Sequence, residues 1–203
     1  MAELWIATGN KGKLGEFKIL FKELPEVALA DVHSQGELKV FSQPPENGAT
    51  FLENARIKAR ALKAVKPGNW IVADDSGLEV DCLGNLPGIH SARYAGPKAS
   101  DSENVSKLLK MMQIKAVLNR NAQFVCQMVI FTPEGEEWSF NGVMKGTIGK
   151  APKGDMGFGY DPVFIPEGQT QSLAELGLAY KNQFCHRALA AKEFIEKMKS
   201  YKK

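Results

Sequence analysis

The 203-residue chain is 44% hydrophobic and 24% charged, which excludes disorder as its default state and leaves enough apolar sequence for a sizeable core. A formal charge of +3, with Lys and Arg spread among acids, excludes a nucleic-acid-binding stripe while allowing a local cationic cluster for a small polyanion. Met1-Ala2-Glu3 leads straight into apolar sequence with no basic leader, and no run of about 18 apolar residues follows, so a cytosolic protein outside the membrane is expected.

Leu4-Trp5-Ile6-Ala7 predicts a short buried strand, after which Leu14, Phe17, Phe21 and Leu24 recur at helical spacing until Pro25. Residues 31–49, with Gly36, Gly48 and Pro44-Pro45, predict a long connection, and such connections are often functional. Thr50 and Glu53 have capping-box spacing for a helix that runs to Val65 and ends at Lys66-Pro67-Gly68. Residues 70–73 predict a fully buried strand, residues 74–77 a corner, and Leu78, Val80 and Cys82 a second, half-exposed strand. Ser100 and Glu103 predict another capped helix, with Val105, Leu108, Leu109 and Met112 on one face. Residues 124–131 and 138–148 predict two long strands joined around Pro133-Glu134-Gly135, and Ala188, Ala191, Ile195 and Met198 mark a last helix. Cys82, Cys126 and Cys185 are odd in number and lack metal-site spacing, so they are expected to be buried, reduced thiols. Strands and helices that alternate before a hairpin predict a single α/β domain over residues 1–203, built on a mixed sheet.

Five clusters carry polar groups suited to chemistry. Thr8-Gly9-Asn10-Lys11-Gly12-Lys13 is a small-residue turn before a helix N-terminus, suited to phosphate, although its spacing is not that of a Walker A loop. On the helix from Thr50, Phe51, Ala55, Leu62 and Val65 define an inward face, and Asn54 and Lys58 fall in that same sector. An inward Lys58 must find an anionic partner or reach back to water, and on periodicity alone Lys58→Met should be tolerated by the fold. Asp74 and Asp75 close a buried strand with side chains on opposite faces, where carboxylates suit Mg²⁺, and Asp-Ser-Gly also suits a plain turn. Gly157-Phe158-Gly159-Tyr160-Asp161 sets an aromatic ring between glycines, to be packed in the core or presented to a flat ligand. His186-Arg187 places two donors just before the last helix.

Six ordered motifs, T-G-N-K-G-K, F-L-E-N-A-x-x-K-A, A-D-D-S-G-L-x-V-D, P-G-I-x-S-A-R-Y-A-G, G-F-G-Y-D-P-x-F and K-x-x-x-x-H-R, resemble the inosine/xanthosine triphosphate pyrophosphatases, the Ham1-like family, from Thr8 to Arg187. The resemblance implies a homodimeric α/β fold whose long mixed sheet separates two lobes around a nucleotide cleft. It also implies Mg²⁺-dependent hydrolysis of ITP, dITP and XTP to the monophosphate and pyrophosphate. By the same resemblance, the Thr8–Lys13 loop and Lys58 hold the triphosphate, Asp75 is general base or metal carboxylate with Asp74 beside it, and Ser76 contacts substrate. Phe158 stacks on the purine, Gly159, Tyr160 and Asp161 line the base and sugar, and Lys181, His186 and Arg187 complete base recognition. Glu46 follows Pro45 where the family often has two acids, which makes it a candidate metal ligand. Cys185 stands where a serine commonly precedes His-Arg, and Gly15 sits inside the first helix. A nucleic-acid-binding module and a non-catalytic nucleotide sensor are the readings from other classes, and a Maf-like pyrophosphatase is the other enzyme.

Overall fold

Short runs of aliphatic and aromatic residues form the middle of a seven-stranded mixed sheet flanked by helices in the computed structural model, which describes residues 3–22, 32–115 and 118–201. The strands are β1 (Leu4–Ile6), β2 (Val32–Ser34), β3 (Trp70–Val80), β4 (Leu86–Pro87), β5 (Asn121–Phe131), β6 (Glu137–Ile148) and β7 (Phe164–Pro166). The helices are α1 (Lys11–Leu20), α2 (Phe51–Val65), α3 (Asp101–Ile114), α4 (Leu173–Phe184) and α5 (His186–Tyr201). Strand order is β2-β1-β3-β5-β6-β7, with β4 on β3. β1 runs parallel to β2 and β3, pairing Leu4 with Trp70 and Ile6 with Val72. Parallel neighbours need crossover connections, which the segments containing α1 and α2 provide.

The chain divides into two compact units. The first takes the chain up to Asp75, Cys126–Asn141 and the chain from Leu189 onward; the second takes Ser76–Val125 and Gly142–Ala188. In the first, the period-two alternation of the strands supplies two apolar layers. Leu4, Ile6, Trp70, Val72, Cys126, Met128 and Ile130 pack with Phe17 of α1, its C-cap Phe21, and Ala190, Ala191 and Phe194 of α5. Trp5, Ala7, Ile71, Ala73, Val129 and Phe131 pack with Ala55, Ala59 and Leu62 of α2. In the second unit, Ser100 and Glu103 close a full capping box on α3, whose Val105, Leu108 and Met112 are buried. Phe124 packs on Phe164 with ring centres 4.6 Å apart. Among the described residues no helix is long and apolar enough to cross a membrane.

Several sequence expectations change. β3 runs unbroken through Asp74–Gly77, with no corner, because both aspartates meet lysine ammonium groups and can stay in a buried strand. Residues 31–49 contain β2 and a 3₁₀ turn over Gln35–Glu37, elements too short for a periodic signal. α1 is capped at Phe21, and the expected continuation to Leu24 and Pro25 lies outside the described residues. Thr50 accepts the Glu53 N–H, but the Glu53 carboxylate takes the Ala49 N–H rather than that of Thr50, so only half of that box forms. Val65 is exposed at the fraying end of α2 instead of facing inward. α4 was not anticipated, because Gly177 at φ +81° interrupts its pattern; its complete Ser172/Glu175 capping box was the signal available. The last helix begins at His186, which draws His186 and Arg187 into its first turn. Cys126 and Cys185 are buried thiols outside any disulfide, and Cys82 is only half-buried.

Candidate active site

In the first unit the alternation of β3 fixes the two carboxylates. Trp70 and Val72 lie in the layer of α1 and α5, and Ile71 and Ala73 in the layer of α2, so Asp74 continues the first set and Asp75 the second. Asp74 accordingly meets Lys13 Nζ from α1 at 3.0 Å. The turn before α1 is self-braced: Thr8 Oγ1 accepts the Asn10 N–H at 3.2 Å, and Asn10 Oδ1 caps the helix by accepting the Lys13 N–H at 3.0 Å. Thr8 is buried, whereas Gly9, Asn10 and Lys11 are exposed and Gly12 and Lys13 partly so, which leaves the turn open at the positive end of the helix.

Asp75 is held from α2. Lys58 Nζ lies 3.3 Å from Asp75 Oδ1 and 3.1 Å from Glu46 Oε1, and Asn54 Nδ2 donates to Asp75 Oδ2 at 3.1 Å. Lys58, 4% exposed, therefore finds carboxylates rather than water. Gln43 Nε2 donates to Glu46 Oε1 at 3.3 Å, and Gln35 Nε2 donates to Gln43 Oε1 at 3.1 Å. Burial works to lower the Lys58 pKa, but Asp75, Asp74 and Glu46 outweigh it and hold the ammonium above its ordinary value. Burial raises Asp75 above the usual carboxylate range, opposed by Lys58 and Lys13 and reinforced by Glu46 and Asp74.

The donor chemistry here is that of a hard cation. Glu46 and Asp75 aim carboxylate oxygens at one cationic point, now the Lys58 ammonium, and no sulfur or imidazole ligand takes part. Among the described residues no group of three or more His, Cys, Asp or Glu side chains is placed to hold a metal ion. The two carboxylates Glu46 and Asp75 are a donor set that an ion such as Mg²⁺ can use, since it keeps waters and takes substrate oxygens.

In the second unit, Ser76 Oγ accepts from Arg187 Nη2 at 2.7 Å, and Arg187 is 1% exposed. His186 is buried and stacks on Phe124, ring centres 4.8 Å apart and planes within 10°. Lys181 Nζ lies 2.5 Å from Asp161 Oδ2 and 4.0 Å from the centre of the Phe158 ring. Phe158 sits in a turn, not a strand. Its N–H donates to Asp161 Oδ2 at 2.8 Å, and the Gly159 N–H donates to Asp101 Oδ2 at 2.7 Å. Tyr160 is buried and donates its hydroxyl to Ser91 O at 2.9 Å, and its pKa is pushed up by burial. The expected residues thus meet in the first unit as Lys13 with Asp74 and as Lys58 with Glu46 and Asp75, and in the second as Ser76 with Arg187 and as Phe158 with Asp161 and Lys181. Asn54, Gln43 and Asp101 were not assigned from sequence; only Asn54, polar within an apolar sector, carried a signal there.

A sequence model of the Ham1 family matches residues 4–197. A protein of Bdellovibrio bacteriovorus named dITP/XTP pyrophosphatase is 62% identical over 198 residues, 98% of this chain and 98% of that one. One of the same name from Bacillus licheniformis is 42% identical over 193 residues, 95% of this chain and 96% of its own. The solved structure of a HAM1 protein from Coxiella burnetii superposes with a TM-score of 0.84 at 35% identity, covering 98% of this chain and 100% of that one.

Proposed function

Because the chain belongs to the Ham1 family, we propose that it is a nucleoside triphosphate pyrophosphatase that hydrolyses dITP, XTP and ITP to the monophosphate and pyrophosphate. The observation that carries this reading is the buried Lys58 held between Asp75 and Glu46, beside a braced helix N-terminus that bears Lys13. Lys13 and Lys58 would bind the triphosphate, and the open turn of residues 8–13 would offer backbone N–H groups to it. Asp75 would orient a water toward the α-phosphorus and accept its proton, a task suited to a carboxyl raised by burial, with Asp74 anchoring Lys13. The oxygen–phosphorus bond forms at the α-phosphate while the bridge to the β-phosphate breaks, and pyrophosphate leaves with the electron pair. Mg²⁺, for which Asp75 and Glu46 are the residues in place, would supply neutralisation of the charge on the phosphate oxygens.

Residues of the second unit would read the base. Phe158, fixed through both flanking backbone N–H groups and faced by Lys181, would stack on the purine, with Gly159, Tyr160 and Asp161 shaping that loop. His186 and Arg187, the latter braced by Ser76, would donate to a 6-oxo group. Adenine, whose 6-amino group is a donor, would then be rejected. The reading includes one functional domain over residues 1–203, acting as a cytoplasmic homodimer on a small-molecule substrate, with neither nucleic acid nor membrane as partner. A Mg²⁺-dependent panel of ITP, dITP, XTP, GTP, ATP and dTTP, with pyrophosphate and orthophosphate assayed separately, tests it. Pyrophosphate from dITP and XTP well above that from ATP is expected; equal turnover of ATP, or stepwise orthophosphate, would refute it.

A further inference from the structure

Asn54 is 0% exposed on α2, and both ends of its carboxamide are engaged. Nδ2 donates to Asp75 Oδ2 at 3.1 Å, and Oδ1 accepts the Gly48 N–H at 2.8 Å. One turn further along the same face, Lys58 takes Asp75 Oδ1 and Glu46 Oε1. Two residues of one helix therefore hold both oxygens of Asp75, and the same two hold the segment from Glu46 to Gly48. The fit at Gly48 is close, since a Cβ there would lie 2.7 Å from Glu53 Cβ and 2.8 Å from Asn54 Oδ1. Asparagine is a poor helix former whose burial is costly, and an apolar residue at this inward position would serve packing better. Its geometry is instead explained by what it touches. A carboxylate held at one oxygen can still rotate about its terminal torsion, whereas donors at both oxygens fix its plane.

We propose that Asn54 is a positioning residue that sets the plane of the Asp75 carboxylate and ties the Glu46-bearing segment to it. The inference rests on the catalytic reading of Asp75 given above. Asn54 would act on the reaction only through Asp75 and touches no substrate group in this account, so its removal should lower kcat while leaving KM for the triphosphate nearly unchanged.

Asn54→Leu keeps most of the side-chain volume and removes the donor to Asp75 without placing a second carboxyl beside it. With XTP at saturating Mg²⁺, Asn54→Leu and Asn54→Ala should each lose roughly 10- to 100-fold in kcat with KM within about threefold. Asn54→Leu with kcat within about twofold of the unsubstituted enzyme would overturn the proposal. A second readout needs no substitution at position 54: exchange of the Asn54 side-chain amide protons, followed by NMR. Strong protection that collapses in Asp75→Ala, while the Gly48 amide stays protected, is expected; protection indifferent to Asp75→Ala would overturn the proposal. An unsubstituted enzyme that releases no pyrophosphate would refute the functional reading instead, and the amide exchange would still decide whether Asn54 holds Asp75.

Discussion

Lys58 brings one ammonium to two carboxylates, and this decides what its removal does. Periodicity alone implies that methionine is tolerated there, because it treats the lysine as a buried charge without a partner. The ion pairs reverse that expectation: Lys58→Met strands the buried carboxylate of Asp75, which is 6% exposed, and should cost roughly 3 kcal/mol or more at neutral pH as well as turnover. The sign of its pH dependence follows from Asp75. Burial already raises that carboxyl, and loss of Lys58 removes the largest influence opposing the rise. A folded-state pKa above the unfolded one gives stability that is present below the unfolded value and lost as pH rises through the folded value. Melting curves should therefore show a small difference between the variant and the unsubstituted protein near about pH 4 and a larger one toward neutrality. A gap that stays constant with pH would contradict the pairing. The inward position of Lys58 was legible in the helical period. Its partner Glu46 was not, since it lies in a Pro-rich connection with no period to place it.

Helix starts were legible where apolar period and capping agreed, as for α2 and α3, and β6 was legible from its apolar pattern, whereas β5 begins at Asn121, before the expected start at Phe124. Boundaries were lost where a charge or a glycine broke the pattern without breaking the element. Asp74 and Asp75 look like a corner in sequence and form mid-strand positions in β3, because their counter-charges come from α1 and α2, distant in sequence. α4 was hidden by Gly177. The turn that carries Phe158 was legible only as a glycine-flanked ring; its brace from Asp161 is local, and that from Asp101 is a long-range contact. Gly157 is its tightest point: φ is +86°, and a Cβ would lie 2.1 Å from Asp161 Oδ2. Gly157→Ala should displace Asp161 from the Phe158 N–H and from Lys181, raising KM for XTP about tenfold or more with a smaller effect on kcat. Steady-state kinetics check this, and an unchanged KM would remove the Phe158 loop from base recognition.

At the scale of the whole molecule, the residues proposed for phosphate chemistry belong to the first unit and those proposed to read a base belong to the second. The small net charge of +3 says little about this, because the cations that matter are few and locally paired. The six ordered motifs, from Thr8 to Arg187, lie within the family match over residues 4–197. Neither specifies which bond is cut, and the central claim is that water, oriented by Asp75, attacks the α-phosphorus. Turnover of XTP in water enriched in oxygen-18, with both products resolved by mass spectrometry, tests that claim most directly. The account predicts one labelled oxygen in the nucleoside monophosphate and none in pyrophosphate; label in pyrophosphate, or orthophosphate as the first product, would contradict it.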